Sequence, residues 1–442
     1  MRIRNGRSVF VLLTLCLLGW LSSASALPAF ARQTGEACEA CHISFPELTP
    51  FGRLFKLSGY TLGTTQLFPV SAMAIVSDTR ASNTGGNPAF SRNGEPTIEA
   101  GSIFAAGRIS DHLGLFSQWT YNNITPSTNA DGSTRYTGSF AVDNNDIRVV
   151  DHIAKQDLDL IYGVSLNNNP TVQDVWNTTP AFGYPYQTSG LAGTWGTSTQ
   201  YTPLLNGALA HQVAGLSAYA FLNKHWYLEL GNYQAAEGLY GILSHDVTIS
   251  NRLEGTNPYW RFAWNNDWGP HSLSVGTFGM QAHVNTDPTQ SGSPTNRYLD
   301  QGVDFQYQYL TDPHVITTQW SLIHERVNWD PAAGANNTSD NLDSLQGKVS
   351  YWYQRKYGLT LGMFKTSGST DAAIYTKAAT SGGVPDTRGY IVELDYMLQP
   401  WWRLGLQYTG YNKYLGTSSN YDGNGRNARD NNITYLYTWL AF

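Results

Sequence analysis

The pentapeptide Cys38-Glu39-Ala40-Cys41-His42 is the part of this 442-residue sequence whose residue types and spacing can do chemistry. Its pattern, C-x-x-C-H, is that of c-type haem attachment. Two thiols three positions apart reach the two vinyl groups of one porphyrin, and the adjacent imidazole then lies under the iron as the proximal ligand. A redox dithiol or half a zinc site is the competing reading. No second C-x-x-C or His pair follows at zinc-finger spacing, however, and no βαβ pattern surrounds the motif. The expectation is one covalently bound haem c on Cys38 and Cys41, with His42 as ligand to its iron. The distal ligand stays open. His112, His152, His225, His271 and His314 read as solvated residues of short turns. Met73, Met280, Met363 and Met397 are the methionines after the leader, and Met73, nearest to the motif, reads as lipid-facing on a strand.

The elements that position this motif begin after a leader. Arg2, Arg4 and Arg7 precede an apolar run from Val9 to Leu21 and the small-residue site Ala24-Ser25-Ala26, which is the pattern of an export signal over residues 1–26. Cys16 lies inside that run behind Leu15, which does not suit a lipoprotein site. Cys38 and Cys41 are then the only cysteines left, so no disulfide framework staples the exported chain. A net charge of -6 argues against a nucleic-acid partner.

From about residue 67 onward, apolar and polar residues alternate with the period of two-faced strands. Val303 to Tyr309 is the clearest run, followed after "TDPH" by its partner Ile316 to Leu322. Leu158, Leu160, Tyr162 and Val164 share one face of another, and Tyr390, Val392, Leu394 and Tyr396 one face of a third. Short turns near 110, 155, 224, 268, 312, 356 and 400 alternate with long polar loops near 79–97, 122–143, 170–207, 235–256, 285–297, 329–341, 368–386 and 413–430. Seven short turns and eight long loops join sixteen strands, an even count with both ends on the short-turn side. Charged residues are only 14%, aromatics 13%, and Tyr and Trp crowd the strand ends, as an aromatic girdle would. The chain ends on Phe442 in "TYLYTWLAF", which resembles an outer-membrane sorting signal.

These signals predict a mainly β protein: a 16-stranded antiparallel transmembrane β-barrel over residues 67–442, preceded by a small, mostly helical monohaem cytochrome c segment over residues 27–66. About forty residues sit at the size where a domain rarely folds alone, and a sixteen-stranded barrel leaves an aqueous lumen. The segment is therefore expected to act as a plug in that lumen or at its periplasmic mouth. Asp159, Glu229, Asp304, Glu393 and Asp395 fall on inward positions, where they would line a path for a hydrated cation, and Arg108, Arg148 and Arg403 face the same way.

Two stretches, "FARQTGEACEACHISFPELTPFGRLFKLSGYTL" (30–62) and "NNPTVQDVWNTTPAFGYPY" (168–186), resemble the outer-membrane monohaem cytochrome and porin fusions, a family that includes iron oxidases of iron-oxidising bacteria. The resemblance implies a Gram-negative outer-membrane location. It also implies one-electron Fe(II):cytochrome c oxidoreductase activity, with extracellular Fe(II) as donor and a soluble periplasmic c-type cytochrome as acceptor. On it, Arg32, Gln33, Arg53 and Lys56 become candidates for packing around the haem or pairing its propionates, against ordinary surface polarity. The second stretch either covers the haem or forms an external loop. A conduit for another donor or acceptor, and a diffusion porin with a structural or sensory haem, are the rival readings.

Overall fold

A computed structural model describes residues 28–66, 69–84, 92–129, 131, 134–197, 200–244, 249–376 and 382–442. The expected signal over residues 1–26 lies outside the described residues. Among those described, sixteen antiparallel strands close into one barrel, from β1 (Val70–Ala81) to β16 (Ile433–Ala441), which pairs back onto β1. All seven expected short turns are present between consecutive strands, for example between Leu310 and His314 and between Tyr353 and Tyr357.

Strand parity sets the two faces. In Thr295–Leu310 the side chain of Val303 is 53% exposed on the outside while that of Asp304 lies inside, 3% exposed. Leu216, Leu230, Leu361, Leu394 and Leu436 are likewise exposed on the outer surface. A monomer in water has no reason to expose so continuous an apolar belt, whereas a lipid-facing barrel requires one. Stacked aromatics gather at the short-turn rim: Trp226 on Phe262, Trp268 on His271, and Tyr357 on Tyr396.

One expected loop differs. Residues 122–143 are mostly strand, since Leu113–Thr128 and Thr134–Lys155 continue as a long hairpin at the long-loop end. Its Thr, Ser and Asn composition reads as loop because both faces of a hairpin projecting past the apolar belt meet water. Ladder hydrogen bonds hold it regardless, as between Thr125 and Thr137.

The lumen is filled rather than open. The segment 28–66 lies inside it as three short helices, α1 (Ala29–Thr34), α2 (Cys38–Cys41) and α3 (Pro50–Leu57), with a two-strand hairpin, His42–Ser44 against Glu47–Leu48. The long loop after Asn167 folds inward above it, so that Val172, Val175, Trp176, Leu191, Leu205 and Leu209 are all buried.

Candidate functional site

Thr49 fixes the geometry around the C-x-x-C-H motif. Its hydroxyl N-caps α3 by accepting from Gly52 N at 3.1 Å, and donates to Ala40 O in α2 at 2.5 Å, while its own N–H donates to Cys41 O at 2.9 Å. Pro50 opens α3, where its missing N–H costs nothing. A Cβ on Gly52 would lie 2.2 Å from Cys41 O, so only glycine lets α3 approach α2 this closely.

Cys38, Cys41 and His42 together line one cavity of about 160 Å³. Its other walls are Phe30, Leu48, Phe55, Tyr60, Phe116 and Phe182. Phe30 packs edge-on to Phe55 at 4.8 Å and stacks on Tyr60 at 5.5 Å, so the walls are rigid and apolar. Burial lowers the pKa of His42 to about 4, keeping the ring neutral as an iron ligand must be. Its Nδ1 is buried without a hydrogen-bond partner among the described residues. Burial also raises both thiols, that of Cys41 to about 11, which is unlike the depressed pKa of a redox dithiol. Two thiols, a neutral imidazole and an aromatic enclosure therefore fit a covalently held haem, with Cys38 and Cys41 as attachment points and His42 as proximal ligand.

The motif lies at the short-turn end of the barrel. Cys38, Glu39 and His42 share a second recess with Gln354, Arg355, Lys356 and Pro400, and Arg355 donates to Glu39 O at 2.9 Å. A third, larger space of about 390 Å³ runs from His42 along the inner wall past Met73, Phe104 and Trp439.

Of the four basic and amide residues expected near the haem, Lys56 lines the cavity, and all four bond to groups of the plug, the wall or the inserted loop. Arg53 of α3 is buried against the barrel wall, donating to Gln306 and Gln308 at 2.9 Å each, to Ser272 at 2.5 Å and to Asp267 at 3.0 Å. Lys56, although it touches the cavity wall, directs Nζ at Val172 O, Asp174 O and Asn177 Oδ1, tying the plug to the inserted loop. Gln33 donates to Tyr60 O and Leu62 O and accepts from Arg108 N, while Arg32 donates to Gln66 and to Val70 O. These side chains anchor the segment because a helix inside a polar lumen must satisfy wall groups as well as its own.

The second resembling stretch is a lumenal loop that covers the cavity. Asn177 and Phe182 form part of the cavity wall, and Asn177 donates to Pro46 O at 2.8 Å. Asp174 and Asp304 clamp Arg261 between them at 3.1 and 2.9 Å. The expected carboxylate path for a cation is not formed. Glu393 and Asp395 are bound by Arg403 at 2.6 and 2.7 Å, Glu229 accepts from Ser217 and Tyr227, and Asp159, at the short-turn end of its strand, bonds His152 on the neighbouring strand. Lumenal carboxylates are satisfied by wall cations, hydroxyls or the backbone N–H groups of the inserted loop rather than left facing water. Arg148 belongs to the same framework, bonded to Asp146, Lys56 O and Gln173 O.

The turn histidines also have structural partners. His225 bonds Asn265 O, His271 bonds Tyr307, His314 bonds Tyr351, His112 bonds Val150 O, and none of them lines the cavity. Met73 faces inward, contrary to expectation. It shares parity with Ile75, Ser77 and Thr79, which are 1%, 3% and 0% exposed. The sequence carried that signal in the polar Ser77 and Thr79, which mark the lumenal side of β1.

No protein-family model matches the chain, and no curated protein matches it. Among solved structures, the chain is similar to OmpT, an outer-membrane protein of Vibrio cholerae, at 13% identity over 84% of this chain and 97% of that one, with a TM-score of 0.42. The outer-membrane channel DcaP of Acinetobacter baumannii matches at 10% identity over 84% and 96%, with a TM-score of 0.46. An anion-selective porin from Comamonas acidovorans matches at 12% identity over 84% and 99%, with a TM-score of 0.42. The described chain itself is a closed, sixteen-stranded antiparallel β-barrel.

Proposed function

We propose that this protein is an outer-membrane electron-transfer cytochrome. It would take one electron at a time from extracellular ferrous iron and deliver it to a soluble c-type cytochrome in the periplasm. The observation that carries the reading is that Cys38, Cys41 and His42 wall a single apolar cavity between plug and barrel. When bound there, the haem supplies one-electron chemistry at its iron. The chain's own residues do the rest. Phe30, Phe55, Phe116 and Phe182 exclude water from the cavity, Thr49 and Gly52 set α3 against the motif, and Arg53 and Lys56 hold the segment in place. The ferrous donor and the periplasmic acceptor rest on the family resemblance of residues 30–62 and 168–186.

The short-turn recess beside Cys38 supports contact with a periplasmic partner, since bacterial barrels turn their short connections inward. From Ala441 to Ile433, β16 climbs about 20 Å along the barrel axis at ~3.4 Å per residue and ~40° tilt. Trp439, Tyr437 and Tyr435 face the lumen along that climb. A diffusion porin is the second reading, favoured by the barrel itself and opposed by the buried loop that occupies its lumen. The test is to add ferrous iron to purified protein and record reduced-minus-oxidised spectra. Reduced c-type bands are expected, and they should be absent in His42→Ala with the barrel still folded. A wild-type chain that shows no such bands but a large, stable ion current would overturn the proposal in favour of the porin.

A further inference from the structure

The haem reading leaves the second axial position unassigned, and the lumen offers a specific donor for it. We infer that the thioether sulfur of Met73 is the distal ligand to the iron whose proximal ligand is His42. This inference rests on the proposed haem. The cavity holding both cysteines and the larger space beyond it share His42, Phe30, Phe45, Phe116 and Phe182, so the two are lobes of one enclosure. Met73 lines the second lobe, at the same end of the barrel as the motif, where it pairs with Ala441 in the last strand.

Four other donor side chains around this enclosure are already committed. Lys56 Nζ serves three acceptors, Tyr60 donates to Asp146, Tyr186 bonds Glu47 and Gln319, and Gln118 donates to Ser102 and Thr120. No described histidine other than His42 lines either lobe. A thioether carries no hydrogen to satisfy and costs little to bury, so it can wait in an apolar wall until iron is present.

The remaining methionines are placed otherwise. Met280 is buried in a cluster with Leu204, Leu205 and Phe278, and Met363 is exposed on the outer face. Met397 is the closest competitor. It shares the short-turn recess with Cys38 and His42, but that recess has none of the Phe30, Phe116 and Phe182 wall that the cysteine cavity and the lobe of Met73 have in common. A porphyrin attached at both cysteines must occupy the lobe that holds both, which adjoins Met73. Thioether ligation raises the potential of a c-type haem, which suits an acceptor of electrons from ferrous iron.

The test uses the full-length barrel carrying covalent haem, with folding checked by heat-modifiable migration on gels. The wild-type ferric protein should show the far-red sulfur-to-iron charge-transfer band, and its ferrous form should not bind carbon monoxide. Met73→Leu keeps the side-chain volume and should lose the band, lower the reduction potential and admit carbon monoxide. Met73→His should restore a six-coordinate spectrum at low potential, and Met397→Leu should match wild type. A band that survives in Met73→Leu, or that disappears in Met397→Leu, overturns the assignment. Wild-type protein with covalent haem but no band overturns it while leaving the haem reading intact. Wild-type protein with no covalent haem removes both.

Discussion

Replacing Arg53 by Met should loosen the plug by an amount the structure sets. The guanidinium makes three bonds to buried wall groups, Gln306, Gln308 and Ser272, and a fourth to Asp267, whose side chain is 44% exposed. The exposed partner is screened and contributes little. Losing the buried bonds strands two glutamine oxygens, yet it also removes the desolvation that holds the Arg53 pKa down to about 10. Truncating one side of a buried charged network costs ~3–5 kcal/mol, and that relief argues for the lower end, about 3 kcal/mol. At about 1.4 kcal/mol per tenfold, the undocked population of the plug rises ~100-fold. Hydrogen exchange over residues 50–60, read by mass spectrometry, should accelerate by that factor while the barrel strands stay protected. Arg32→Met, which removes half-exposed contacts, should change exchange less than tenfold. Equal protection of α3 in wild type and Arg53→Met would refute the view that wall contacts hold the plug.

Further changes have equally specific outcomes. Gly52→Ala forces a Cβ against Cys41 O and should cost ~1–3 kcal/mol of local packing, seen as a lower yield of haem-stained protein on denaturing gels. Asp304→Asn leaves Arg261 facing Asp174 alone and should cost ~3 kcal/mol or more, with faster chymotryptic cleavage within residues 168–186 as the readout. Burial and the neighbouring Arg148 hold Lys56 at about 7 in the docked plug, against 10.5 when free. The released segment then binds more protons between those values, so docking strengthens as pH rises from about 7 to 10.5 and is flat below 7. The urea midpoint for plug release should follow that profile and lose it in Lys56→Met.

The barrel was legible in the sequence because parity and turn chemistry are local. "TDPH" between two alternating runs dictates a hairpin wherever it occurs. The lumen was less legible because its contacts are remote in sequence: Arg53 meets Gln308 and Lys348 meets Glu47 across most of the chain. A lysine or arginine on a short helix looks solvated until the wall that receives it is known. Met73 was misread for a different reason. Ala72, Met73, Ala74, Ile75 and Val76 are all apolar, so the first turn of alternation is blurred, and only Ser77 and Thr79 reveal which side faces inward. For Cys38, Cys41 and His42 the sequence offers the C-x-x-C-H spacing alone, and the fold adds that all three line one cavity.

The measurement that tests the account most directly is the intact mass of the purified chain after denaturation, with tryptic mapping of the peptide around residues 35–45. The account predicts a mass raised by one haem, retained through denaturation and located at Cys38 and Cys41, and lost in Cys38→Ala/Cys41→Ala while the barrel still folds. A folded, membrane-inserted wild-type barrel from haem-competent cells with both cysteines unmodified would contradict it.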